Sequence, residues 1–156
     1  MASTPYPSHL NAACSPQLRE EVAFFQQWGY LVVDDAITSE QVDALRTALD
    51  ATFAQSDEQF IHRLLECDDA FAFLLDNPPV FYRMKAILGE CVQLHSATAR
   101  VTMPGEKDQN WHRDVPWPVS PEGTPYGAIP GQINCGYYLD ELSEGNGPIV
   151  IVPGSQ

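Results

Sequence analysis

Residues 146–155 of the chain read Asn-Gly-Pro-Ile-Val-Ile-Val-Pro-Gly-Ser. Four β-branched residues stand between two Gly/Pro turns, a pattern typical of a short strand. Eight of the 13 prolines and eight of the 10 glycines lie at or after Pro104, so turns are dense throughout this half of the chain. Short strands separated by such turns predict an antiparallel sandwich, barrel or jelly roll. The predicted strands cover 91–103, about 110–115, about 131–139 and 148–152.

The first half of the chain carries helical patterns. Ser15 is placed to cap a helix that begins at Pro16, and Gly29 is placed to end it. Thr38 and Gln41 have the spacing of a capping box, and apolar residues follow them at helical intervals. Each of these signals is local, so we expect two amphipathic helices whose apolar stripes form core.

Further elements complete the helical part. A helix is predicted over about 58–75, another begins at Asn77-Pro78 and ends at Gly89, and Tyr30 to Val33 predicts a short strand. Helices followed by strands predict an α+β fold. The expected organisation is a flexible arm and then a single domain, divided into a helical lead-in and an antiparallel β core. The arm covers residues 1–15 and the domain covers 16–156. Within the domain, the helical lead-in covers 16–90 and the β core covers 91–156.

Composition excludes several classes of protein. Eight Lys and Arg against 21 Asp and Glu give a formal net charge of −13, which repels phosphate backbones and anionic lipid. We therefore expect no nucleic-acid and no membrane partner, whereas the charge says little about a small-molecule substrate. No apolar run reaches membrane-spanning length, no secretory signal is visible, and the four cysteines form no C-x-x-C pair. Reduced thiols in a cytoplasmic protein are the expected state.

The segment Asn110-Trp111-His112-Arg113-Asp114 carries the chemistry. Residues two apart on a strand point to the same face, so we expect His112 and Asp114 to project together. An imidazole and a carboxylate on one face are two of the three ligands in the set that holds non-haem Fe(II). By alternation His95 lies on the face opposite its strand's polar residues, and His62 lies on a predicted helix, so we expect neither to be a ligand.

Several segments together resemble the phytanoyl-CoA dioxygenase family of Fe(II)- and 2-oxoglutarate-dependent oxygenases. The matching pieces are WHRD, the preceding strand ending in MPG, the strand INCGYYLDEL and the turn-bounded NGPIVIVPGS. The stretch Gly-Tyr-Leu-Val-Val after an amphipathic helix, with Ile-Thr-Ser-Glu-Gln opening the next, is also typical. The resemblance covers about residues 17–156.

The resemblance implies helices packed on a double-stranded β-helix core of the jelly-roll or cupin type. It implies a dioxygenase that hydroxylates a small organic substrate with Fe(II), 2-oxoglutarate and O2. His112 and Asp114 would be metal ligands and catalytic residues. Trp111 and Trp117 would stand beside the site, although core packing explains both equally well. The residues implied in cosubstrate binding are Thr98, Arg100 and Asn134.

The chain also departs from the family pattern. The third metal ligand of the family is a histidine on a later strand, followed by a basic residue that grips 2-oxoglutarate. Gln156 stands where the family usually has a histidine after the Pro-Gly-Ser turn. Four or five predicted strands also fall short of the eight of a jelly roll. We therefore expect this sequence to be the N-terminal portion of a longer enzyme, with little or no turnover by itself.

Two other functions stay open from the residues alone. A jelly-roll binding or regulatory protein without catalysis is compatible with only two ligands. A hydrolase could use zinc at the same pair, His112 and Asp114. Within the resemblance, the carboxylate of Asp114 favours hydroxylation over halogenation, because related halogenases lack that carboxylate so that a halide can bind iron.

Overall fold

The computed structural model describes residues 15–114 and 131–155. Within them, three α-helices stand beside one small antiparallel sheet. The helices are α1 (Pro16–Trp28), α2 (Ser39–Phe53) and α3 (Pro78–Leu88), and the strands are β1 (Phe60–Ile61) and β2 (Ala99–Arg100). Short 3₁₀ helices occupy Leu64–Glu66 and Asp69–Leu75. The predicted arm falls almost wholly on residues 1–14, outside the described residues.

The predicted boundaries of α1 are confirmed. The Ser15 hydroxyl accepts a hydrogen bond from the Leu18 N–H at 3.1 Å, and Pro16 occupies the first turn, where its missing N–H costs nothing. Gly29 ends the helix in the left-handed region at φ 79°, and its N–H donates to the Phe25 carbonyl at 2.7 Å. A residue with a Cβ would be strained at that φ.

The capping box of α2 is also confirmed. The Gln41 N–H donates to the Thr38 hydroxyl at 3.3 Å, and the Thr38 N–H donates to the Gln41 side-chain oxygen at 2.8 Å. The helix buries Leu45 and Ala48 on its inner stripe. Helix α3 begins after Asn77 and ends at Gly89, as predicted.

The helix predicted over 58–75 is wrong. Strand β1 pairs with β2 there, with Phe60 opposite Arg100 and Ile61 opposite Ala99. Arg63 then takes a left-handed conformation, at φ 58°, which an α-helix cannot accommodate. Pairing with a distant segment thus overrides the local helical pattern. His62 consequently lies beside the Phe60 ring, at 4.6 Å between ring centroids, and not on a helix.

The apolar core forms two clusters. One is built around Phe71 and Leu45, each 1% exposed, and the other around Val22, also 1% exposed. The remaining buried members are Ala48, Ile61 and Leu64 in the first cluster, and Ala86 and Ile87 in the second. Later residues reach both clusters, because Leu139 packs on the first and Ile133 on the second. The segment 131–140 therefore packs against both clusters of the helical part.

Most predicted strands form no ladder among the described residues. The run at 91–103 is paired only at β2, and Tyr30 to Val33, 110–114, 131–139 and 148–152 have no strand pairing. Ile149 and Val150 are 65% and 66% exposed, so this apolar run lies at the surface. A β-rich sequence states a local preference, whereas a ladder requires a partner at about 4.8 Å. The structure is thus α+β with a two-stranded sheet, and the predicted double-stranded β-helix is not shown.

Among the described residues, no helix has the length and apolar character needed to cross a bilayer.

Candidate metal centre

His112 and Asp114 lie side by side, as their spacing predicts. The imidazole Nε2 and the carboxylate Oδ1 are 3.3 Å apart. The segment that carries them forms no ladder, but its two side chains still project to the same side. Both side chains are about half exposed, at 57% and 50%. The pair is therefore accessible to an ion from solvent.

The second nitrogen of the imidazole fixes its tautomer. His112 Nδ1 lies 2.7 Å from the backbone carbonyl of Asn110, which can only accept a hydrogen bond. Nδ1 therefore carries the proton, and in the neutral ring Nε2 presents a lone pair. Metal-bound histidines commonly tie the other ring nitrogen to a backbone carbonyl in this way.

The pair fits a divalent cation. When the imidazole is neutral and the carboxylate is ionised, their lone pairs face each other, an arrangement that a proton or a cation stabilises. Two ligand atoms held at right angles about 2.0–2.2 Å from one metal ion are about 3 Å apart. The separation of 3.3 Å between Nε2 and Oδ1 is close to that value. His112 and Asp114 can thus supply two adjacent ligands without rearrangement of the backbone.

Asn134 joins the site through Asp114. Its Nδ2 donates to Asp114 Oδ2, the carboxylate oxygen that does not face His112. Its own Oδ1 accepts a hydrogen bond from Gln132 Nε2 at 3.1 Å. The sequence places Asn134 near the cosubstrate, whereas the structure brings its amide to a metal-ligand candidate.

Arg100 is engaged elsewhere. Its guanidinium forms an ion pair with Glu106, whose second oxygen accepts the Met103 N–H at 3.2 Å. That backbone hydrogen bond, and then Arg100, hold the pKa of the Glu106 carboxyl below its ordinary value. The Thr98 side chain is exposed on the same stretch. The expected grouping of Thr98 and Arg100 around a cosubstrate therefore stays a prediction.

Other residues near the pair complete the comparison with the predicted site. Trp111 is 71% exposed, so it is not core, and Trp117 lies outside the described residues. Two participants were missed from the sequence: the Asn110 carbonyl and the Gln132 amide. The sequence could have indicated Gln132, because it stands two positions before Asn134 on a predicted strand and so shares its face. The Asn110 carbonyl had none, since every residue carries one.

The described ranges bring together no group of three His, Cys, Asp or Glu side chains that could hold a metal. A groove of about 470 Å³ in this part of the chain is lined by neither His112 nor Asp114 and is open and mainly apolar. Its lining residues are Glu20, Glu21, Phe24, Tyr30, Leu31 and Val32. The pair therefore lies on an accessible surface and not inside that groove.

Comparison with known proteins bears on the whole chain. The model of one family, phytanoyl-CoA dioxygenase (PhyH), matches residues 25–156, more than four-fifths of the sequence. Curated proteins give no match, and solved structures give none. The family match includes both helices that follow α1, the His112–Asp114 pair and Asn134. The chain belongs to the phytanoyl-CoA dioxygenase family, a family of oxygenases.

Proposed function

We propose that this chain is an Fe(II)- and 2-oxoglutarate-dependent dioxygenase that hydroxylates a small organic substrate. Membership in the family supports oxygenase activity in general. The observation that carries the assignment to particular residues is the His112 Nε2–Asp114 Oδ1 separation of 3.3 Å, with Nδ1 tied to the Asn110 carbonyl. An imidazole and a carboxylate so arranged match two-thirds of the 2-His-1-carboxylate set.

The two side chains have distinct tasks in this proposal. His112 supplies a neutral ligand, and its bond to the Asn110 carbonyl keeps the ring from rotating. Asp114 supplies one negative charge, which partly neutralises a divalent ion and leaves it able to bind an anionic cosubstrate. Bound iron would activate O2 in a reaction that consumes 2-oxoglutarate. The tasks of the protein would then be to orient the substrate and to exclude water.

The rest of the centre is also proposed. The third ligand, a histidine by family resemblance, and the basic residue that anchors 2-oxoglutarate come from outside the described residues. Thr98, Arg100 and Asn134 are proposed to line the cosubstrate pocket. For Arg100 this requires opening of its ion pair with Glu106, and for Asn134 it requires sharing of an amide already bound to Asp114.

The kind of oxidation, the partners and the cellular compartment are proposed as well. A carboxylate at position 114 fills the place that a halide takes in related halogenases, so we propose hydroxylation. The formal charge of −13 argues against a nucleic-acid or anionic-membrane partner. We further propose that the protein acts in the cytoplasm.

The decisive experiment is an anaerobic titration of the chain with Fe(II) in the presence of 2-oxoglutarate. Formation of the visible charge-transfer band of a protein-bound Fe(II)–2-oxoglutarate chelate supports the proposal. The band should be lost in His112→Ala and in Asp114→Ala. Matched controls are His95→Ala and Asp108→Ala, which remove an exposed imidazole and an exposed carboxylate and should leave the band unchanged.

Product analysis separates the proposal from its rivals. Succinate formed from 2-oxoglutarate only with Fe(II) and O2 supports the oxygenase, at a rate that we expect to be low with two described ligands. Hydrolysis of an ester or amide with Zn(II) alone would indicate the hydrolase. Equal Fe(II) binding by His112→Ala, Asp114→Ala and the unaltered chain would overturn the metal assignment.

A further inference from the structure

We infer that Asn134 is a positioning residue, which selects the oxygen of Asp114 that faces the metal and is itself oriented by Gln132. This inference rests on the proposed function, because it concerns the same metal centre. It differs from the cosubstrate role that the family resemblance implies for Asn134. A positioning role needs no 2-oxoglutarate and acts through Asp114.

The two oxygens of the Asp114 carboxylate have different partners. Oδ2 accepts a hydrogen bond from Asn134 Nδ2, while Oδ1 lies 3.3 Å from His112 Nε2. Since a free carboxylate can rotate to exchange its oxygens, the Asn134 bond removes that freedom. It leaves one defined oxygen beside the imidazole and disfavours bidentate binding by Asp114.

Gln132 decides which end of the Asn134 amide reaches Asp114. Gln132 Nε2 donates to Asn134 Oδ1 at 3.1 Å. With Oδ1 so engaged, the NH2 end of Asn134 is directed toward the carboxylate, where it can donate. The chain thus contains a relay of two amides that ends on Asp114.

The backbone under this relay is anchored in the core. Side chains alternate along an extended segment, so Gln132 and Asn134 share one side while Ile133 takes the other. Ile133 packs against the buried cluster of Val22, Ala86 and Ile87. The relay is therefore held against α1 and α3, although the Asn134 side chain is exposed.

The expected effect of the relay is on metal affinity. Residues that hydrogen-bond to a metal ligand typically change metal affinity about 10–100-fold when they are replaced. The Asp114 side chain is half exposed, so solvent offers its carboxylate no fixed orientation once the Asn134 amide is removed. Loss of the amide should thus weaken metal binding even when no cosubstrate is present.

The test is a Mn(II) titration of the full chain without 2-oxoglutarate, in which the electron paramagnetic resonance signal of free Mn(II) is followed. Asn134→Leu keeps a similar size but cannot donate, and we expect its Kd to rise about 10-fold or more. Gln132→Leu should raise the Kd less, since it only releases the orientation of Asn134. Asn146→Leu is the matched control, because Asn146 bonds the loop at Ser143 and Glu141 and should leave the Kd unchanged.

A metal-free measurement tests the contact itself. In nuclear magnetic resonance spectra, Asp114→Leu should shift the side-chain amide signals of Asn134 but not those of Asn146. Unmoved Asn134 signals would overturn the inference, and so would a Mn(II) Kd in Asn134→Leu equal to that of the unaltered chain. If Asn134→Leu weakens only 2-oxoglutarate binding, the direct cosubstrate role replaces positioning.

The same titration distinguishes failure of the inference from failure of the proposed function. His112→Ala and Asp114→Ala should both abolish Mn(II) binding at the site. If they do and Asn134→Leu binds normally, only the positioning role is lost. If neither changes Mn(II) binding, the metal centre itself is wrong, and the role of Asn134 there is lost with it.

Discussion

The side-chain amide of Asn77 lies 3.2 Å from the hydroxyl of Tyr137, and thus ties the start of α3 to the segment that carries Asn134. Asn77 is only 5% exposed, and its Nδ2 also donates to the Ala36 carbonyl at 2.9 Å. One buried amide therefore joins three stretches of chain that are distant in sequence. Its side chain does this instead of capping α3, for which it forms no hydrogen bond.

Replacement of Asn77 should be costly. Asn77→Leu leaves the Ala36 carbonyl and the Tyr137 hydroxyl without this partner, and we expect the free energy of unfolding to fall by about 1–3 kcal/mol. Urea denaturation followed by circular dichroism measures it. Tyr137→Phe is the graded comparison, because it removes one of the two Asn77 bonds, together with the hydroxyl contact to Cys135, and leaves the Ala36 bond; it should cost less. An Asn77→Leu protein as stable as the unaltered chain would show that this junction contributes nothing.

Phe71 should be the most sensitive position of the first core cluster. It is 1% exposed, and Phe71→Ala is expected to lower the free energy of unfolding by about 3–5 kcal/mol through lost burial and a residual cavity. Phe60 is 39% exposed, so Phe60→Ala removes the same side chain from the surface and should cost much less. An equal fall in the free energy of unfolding in the two variants would contradict the assignment of Phe71 to the core.

The capping box of α2 gives a local prediction. Thr38→Ala removes the acceptor for the Gln41 N–H and should cost about 0.5–2 kcal/mol. Thr47→Ala is its control within the same helix, since the Thr47 hydroxyl only bonds back to the Asp43 carbonyl. That substitution should be nearly neutral. Thermal unfolding of the two variants checks the difference, and a reversed order would rule out the cap as a source of stability.

Stability should fall at alkaline pH. Desolvation raises the pKa of the Cys135 thiol above its ordinary value, a shift that the Tyr137 hydroxyl partly offsets, and desolvation also raises the pKa of Tyr137. A raised pKa means that the folded state keeps its proton while the unfolded state loses it. The contribution is thus complete below the ordinary values, about pH 8.5 and 10, and is lost as the pH rises through the folded values.

Urea midpoints measured from pH 7 to 10.5 test this linkage. Cys135→Ala should flatten the decline that begins near pH 8.5. Cys67→Ala should leave the decline unchanged, because both residues are exposed but it is Cys135 that lies beside the Tyr137 hydroxyl. A Cys135→Ala protein with the same pH dependence as the unaltered chain would show that this thiol does not contribute.

The helical part was largely predictable because its signals are local. Ser15 and the Thr38–Gln41 pair act on neighbouring backbone groups, so a single sequence states their effect. The helix predicted over 58–75 failed because the Leu64 N–H is bound by the Ala97 carbonyl, 33 residues away, at 3.0 Å. The strand at 148–152 failed similarly, since residue preference does not provide a pairing partner.

At the candidate metal centre, too, local features were predictable and contacts between distant segments were not. Period-two alternation was enough to predict that His112 and Asp114 face the same side. The same alternation relates Gln132 to Asn134, although Gln132 was not among the predicted site residues. It could not say that Asn134 contacts Asp114, 20 residues away, because that depends on how the extended segments are held against the helices. The carbonyl that fixes the His112 tautomer left no trace in the sequence.

The most direct test of the metal assignment is a crystal structure of the chain soaked anaerobically with Mn(II), with data collected to show the anomalous signal of the metal. We predict one anomalous peak bound directly by His112 Nε2 and Asp114 Oδ1. Asn134 should remain on Asp114 Oδ2. A peak bound by other side chains, or no peak at saturating Mn(II) with the His112 and Asp114 side chains directed apart, would contradict the assignment.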